Sequence, residues 1–120
     1  MIKTENTKQY DLEERTLAFA KEARMFVKEL PKTTANFEDI KQLTRSSGSI
    51  AANYIEANEA LSKKDFCMRI KICRKEAKES VLWLKLIDTK DIDQEDKRQE
   101  LIKEATELMK IMSAIMRKSE

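Results

Sequence analysis

A chain of 120 residues with a single glycine, Gly48, and a single proline, Pro31, has few means of turning sharply. Sandwiches, barrels and βαβ folds place such residues at turn after turn, so they are poor candidates here. What remains is a small number of long helices. The composition agrees, because 41% apolar and 38% charged residues is the balance of amphipathic helices packed on one core. The length suits one domain able to bury a sizeable core.

Caps and periodicity predict four helices, over residues 12–30, 37–60, 63–88 and 94–117, within a bundle spanning 11–118 behind a flexible segment, 1–10. In the first, Asp11 reads as an N-cap with Glu14 three residues on. Phe19, Ala23, Phe26, Val27 and Leu30 form its apolar face, and Pro31 ends it. The second starts at Asn36 with the seam Ile40, Leu43, Ser47, Ile50, Tyr54, Ala57 and Leu61 in alternating steps of three and four. That heptad-like pattern belongs to bundle packing, and it stays in phase across Arg45-Ser46-Ser47-Gly48-Ser49, so this stretch reads as helix despite its loop-like composition. Ser62 and Asp65 mark the third helix, whose seam is Phe66, Ile70, Cys73, Ala77, Ser80, Leu84 and Ile87, with Val81 and Trp83 beside it. Asp93 caps the fourth, with Leu101, Ala105, Leu108, Met112 and Ile115 as its seam. Connections of about five or six residues suit antiparallel neighbours, so the expected fold is all-α, an up-down-up-down antiparallel four-helix bundle. Ile102, Met109, Ile111 and Met116 widen the fourth helix's apolar face, which suits either deep burial or contact with another subunit.

Much chemistry is excluded. With no histidine there is no Ser-His or Cys-His nucleophile pair and no Glu-x-x-His di-iron motif. Two cysteines cannot form a Cys₄ zinc site, and one glycine cannot build a phosphate loop. The expectation is therefore no catalytic residue, no resident metal and no cofactor. A purely carboxylate metal site needs Glu56, Glu59, Glu76 and Glu79 to meet across the bundle; helical carboxylate pairs are ordinarily solvated or ion-paired. Cys67 and Cys73, six apart on one helix, do not share a face, so free thiols in a reducing cytosol are expected. The polar start, MIKTENTKQYDLEER, lacks the apolar core of a secretory signal, and no stretch is apolar enough to span a membrane. A cytoplasmic location follows.

Two features remain. Residues 62–85 carry eight basic and three acidic side chains, a local charge of +5 in a chain whose total is +2. Lys64, Lys71, Lys75, Lys78 and Lys85 fall at steps of seven, four, three and seven, which aligns them along roughly 30 Å of helix, with Arg74 adjoining. Such a stripe suits a phosphate backbone of RNA or DNA; the plainer reading is a solvated face. The second feature is the polar strip Ser46, Ser49, Asn53 and Glu56, with Arg45 one turn before Ser49. It reads as a subunit contact or polar pocket, or as an exposed flank.

The pattern R-S-x-x-S-I-x-x-N-x-x-E, carried by Arg45, Ser46, Ser49, Ile50, Asn53 and Glu56, resembles the four-helix-bundle proteins encoded by intervening sequences within bacterial 23S ribosomal RNA genes. Lys64-Asp65-Phe66, then Glu76, Glu79, Trp83 and Leu84, extend the resemblance through the third helix. It implies a bundle assembled into a ring-like homo-oligomer, typically a pentamer. The similar accessory variability protein of diversity-generating retroelements implies, further, nucleic-acid and reverse-transcriptase binding through a basic surface; here that basicity is confined to the third helix. The resulting expectation is a non-enzymatic homo-oligomer binding RNA or DNA through Lys64, Lys71, Arg74, Lys75, Lys78 and Lys85. Arg45, Ser46, Ser49, Asn53 and Glu56 would then organise the assembly. The alternative is a scaffold or accessory subunit with a protein partner and no nucleic-acid role.

Overall fold

The computed structural model describes the backbone of residues 3–119 and the side chains of residues 12–119. Four helices account for nearly all of it: α1 (Lys3–Val27), α2 (Thr34–Asn58), α3 (Lys63–Leu86) and α4 (Ile92–Ser119). No strand occurs among the described residues. α2 packs on α1 and α3, α3 on α4, and α1 closes more lightly against α4. α1 runs from Lys3 through Asp11, so the helix begins ahead of the expected cap at Asp11 and Asp11 lies within it; the side chains of the expected flexible segment, 1–10, lie outside the described set.

One core runs through the bundle. Phe19, Ala23, Phe26 and Leu30 meet Leu43, Ile50, Tyr54 and Ala57 from α2, and Ile70, Cys73, Ala77, Leu84 and Ile87 from the α3 side. Leu101, Ala105, Leu108 and Met112 complete it from α4. Ile102, Met109, Ile115 and Met116 are partly buried against the same cluster. Much of the excess apolar width of α4 is thus covered within one chain. Leu61 departs from its expected place in the α2 seam: α2 has already ended at Asn58, and Leu61 is 98% exposed.

The helix ends show what the seams could not. α1 stops at Val27, because Leu30 precedes Pro31; residues 28–30 tighten into i→i−3 bonds, from Lys28 N–H to Met25 O and Leu30 N–H to Val27 O. α2 starts at Thr34, ahead of the expected start at Asn36, and its cap is Thr33, whose hydroxyl accepts from Asn36 N–H. Asn36 is fully buried. Its Nδ2 donates to Pro31 O and Asp88 O at 3.0 Å each, and its Oδ1 accepts from Asp88 N–H at 2.9 Å. One side chain therefore ties the α1–α2 connection to the α3–α4 connection. Ser62 caps α3, accepting from Asp65 N–H. The first turn of α4 is held by Asp91, whose carboxylate accepts from Gln94 N–H, rather than by Asp93. Arg98 reaches back from α4 to donate to the carbonyls of Leu84, Lys85 and Ile87, satisfying the C-terminal end of α3. The Arg98 guanidinium in turn holds the half-buried Glu95 carboxyl below its ordinary range.

Candidate nucleic-acid interface on α3

The inner face of α3 is fixed by its core seam, and this fixes everything outside it. Lys64, Lys71, Lys75, Lys78 and Lys85 are all exposed, and Arg74 is half-buried on the side toward α4. Lys71, Arg74, Lys75 and Lys78 surround a groove of about 710 Å³ with Met68, Ile72, Met109 and Ser113. The last two come from α4, so the groove belongs to the α3–α4 pair. Lys75 stands apart from its neighbours: its Nζ lies 4.0 Å from both Glu76 and Glu79. Among the described residues, Lys64, Lys71, Arg74, Lys78 and Lys85 make no ion pair. Arg69 is turned the other way, donating to Asn53 Oδ1 at 2.9 Å.

The polar strip of α2 meets α3 on that other side. Arg45 Nη2 lies 3.3 Å from Glu76 Oε1 and 3.6 Å from Glu79 Oε1, with Glu76 buried. Ser46 and Ser80, both fully buried, share a 2.7 Å hydrogen bond. Asn53 Nδ2 donates to Ser49 O and Oγ while its Oδ1 receives Arg69. Glu56 is exposed. Within one chain, then, Arg45, Ser46, Ser49 and Asn53 form a ladder that seats α2 on α3. The cross-helix partners descend along α3 as they ascend α2: Arg45 with Glu76, Ile50 O with Cys73, Asn53 with Arg69. Ser46→Ala is expected to cost about 1–2 kcal/mol, by leaving the Ser80 hydroxyl buried without its partner. Ser46→Ala with Ser80→Ala should recover part of that loss in chemical denaturation, since both polar groups then disappear together.

Glu76 and Glu79 are engaged with Arg45, and among the described residues no group of three or more Cys, Asp or Glu is placed to hold a metal ion. Cys73 sits in the core with its Sγ 3.5 Å from Ile50 O, and burial pushes its thiol up to about 12. Cys67 is only half-buried. Alkylation at mildly alkaline pH should therefore modify Cys67 in the folded protein and reach Cys73 only on unfolding, as mass spectrometry with and without denaturant will show. Among the described residues, no helix is long and apolar enough to cross a membrane.

Sequence spacing located the cations but not the groove, whose α4 wall depends on tertiary packing. It also missed Asn36 and Arg98, whose partners are distant backbone groups with no signature in the chain.

Residues 8–114 match the family described as 23S rRNA-intervening sequence protein. The chain belongs to that family. Among solved structures, this 23S rRNA-intervening sequence family member is similar to a protein of unknown function from the S23 ribosomal protein family of Bacteroides thetaiotaomicron VPI-5482. The two share 30% identity and a TM-score of 0.79, over 92% of this chain and 98% of the other. Comparison with curated proteins gave no match. Neither the family description nor that of the solved relative names a catalytic activity.

Proposed function

We propose that this 23S rRNA-intervening sequence family member is a non-enzymatic RNA-binding protein that contacts the phosphate backbone through the outer face of α3. The observation that carries the reading is the set of cations Lys71, Arg74 and Lys78 around one groove, without ion-pair partners among the described residues and extended along the helix by Lys64 and Lys85. Elsewhere in the bundle several basic side chains are bound to neighbours: Arg15 to Glu104, Lys97 to Glu22, Arg98 to Glu95. Cations without carboxylate partners are the ones whose bound counterions a polyanion displaces. Lys75, drawn toward Glu76 and Glu79, contributes less. The reversed order of partners between α2 and α3 supports an antiparallel, up-down-up-down arrangement. Homo-oligomerisation, ring-like in the resemblance, would repeat the basic patch on every copy and strengthen binding by avidity. Free thiols suit a cytoplasmic setting.

The test is binding of a labelled structured RNA across a salt series. Binding at low salt that weakens steeply but persists near physiological ionic strength supports the reading; no binding even at low salt sinks it. Partners that survive nuclease treatment in a pull-down from native lysate would favour the protein-scaffold alternative instead.

A further inference from the structure

The groove between α3 and α4 holds more than cations. Met68 and Ile72 from α3 and Met109 from α4 form an apolar floor beside the basic rim, and Met68 is 48% exposed. No carboxylate lines it. Contact with phosphates alone needs no such floor, because an exposed row of lysines already supplies it. An apolar strip left open beside a row of cations matches a ligand with two chemistries, anionic along one edge and flat and apolar beyond it. Unpaired nucleotides have both.

We propose that the groove takes unpaired RNA, with its phosphates along the α3 rim and its bases laid on the methionine floor. This narrows the nucleic-acid reading, on which it rests, to single-stranded loops, bulges and ends. A continuous duplex hides the faces of its bases in its own stack, so it meets the rim and leaves Met68, Ile72 and Met109 without a partner. Splayed-out bases bring those faces down between the helices. A methionine sulfur is a polarisable partner for an aromatic ring, and the flexible side chain adjusts to rings of different shape. The groove therefore separates unpaired from paired RNA more than it separates one base from another. Arg74, half-buried toward α4, adds a planar guanidinium, which stacks on base faces as well as pairing with phosphate. Lys71 and Lys78 stand two turns apart, roughly 10 Å along the helix, a row that suits successive phosphates of one strand.

The experiment compares two RNAs across one salt series: an oligouridylate of about 20 nucleotides and a blunt duplex with the same number of phosphates. Wild type is expected to bind the single strand about tenfold more tightly near physiological salt. That advantage should persist on extrapolation to about 1 M salt, where the phosphate contribution has gone. Met68→Gln alters the floor at a half-exposed position without changing charge. It should weaken the single strand about fivefold and leave the duplex as it was, so that duplex binding reports an intact fold. Equal affinity for the two RNAs, preference for the duplex, or a Met68→Gln protein that holds the single strand as wild type does would overturn the inference, while phosphate contact on α3 stood. Binding of neither RNA overturns both. A Met68→Gln protein that loses phosphatidylglycerol vesicles yet keeps the single strand assigns the floor to acyl chains, which also overturns the inference.

Discussion

Asn36→Ala is expected to lower the unfolding free energy by about 3 kcal/mol, one of the largest losses for a polar substitution in this chain. The side chain is fully buried and makes three hydrogen bonds to backbone groups, two at Asp88 and one at Pro31. Truncation leaves two carbonyls and one amide without partners, each costing on the order of 1 kcal/mol or more, and adds a small cavity. For a domain whose total stability is roughly 5–15 kcal/mol this is a large fraction. It should appear in urea unfolding as a lower midpoint with little change in slope. Asn36→Asp is a sharper control. It can still accept from Asp88 N–H, but it sets a carboxylate against the Pro31 and Asp88 carbonyls, so it should be at least as damaging near neutral pH. A loss below about 0.5 kcal/mol for the alanine variant would show that the two connections are held by something else.

The second large effect is functional. Lys71→Glu, Arg74→Glu and Lys78→Glu together are expected to weaken RNA binding about a hundredfold or more at near-physiological salt, taking roughly 1 kcal/mol for each charge near a polyanion. The salt dependence should flatten as well, with the slope of log K against log salt falling by about 2–3, since each lost phosphate contact removes about one released counterion. Folding should survive, because none of the three side chains is buried or ion-paired among the described residues. Lys28→Glu, Lys32→Glu and Lys41→Glu make the matched control: all three are exposed, and the change in net charge is identical. A control that loses as much affinity as the α3 variant would mean that binding follows total charge and not this face.

How far the sequence could be read depended on where each residue's partners lie. The four helices and most of their seams were legible because core contacts repeat at fixed spacing along each helix. Gly48 read as helical because the α2 seam stays in phase across it. What lies over it is visible only in three dimensions: a Cβ would lie 3.3 Å from Nη2 of Arg24, which crosses from α1 to donate toward Thr44 O. Asn36 marks the start of the second helix in the sequence, yet its decisive partner, Asp88, is 52 residues away. Leu61 continued the α2 period on paper while the helix ended three residues earlier, with neither glycine nor proline to mark the stop. The basic stripe was legible for the same reason as the seams. Its groove was not, because Met109 and Ser113 reach it from another helix. Likewise, the motif residues Arg45, Ser46 and Asn53 could be placed on one strip of α2, but Glu76, Ser80 and Arg69 as their partners could not.

The most direct test of the central claim is to titrate the isotope-labelled protein with a structured RNA and follow its backbone amide resonances. The account predicts that shifts concentrate on the outer face of α3 around residues 71–78 and on α4 near Met109 and Ser113. The exposed side of α1, around Leu17 and Lys21, should stay unmoved. Shifts centred on another face, or none at RNA concentrations well above those of the protein, would contradict it.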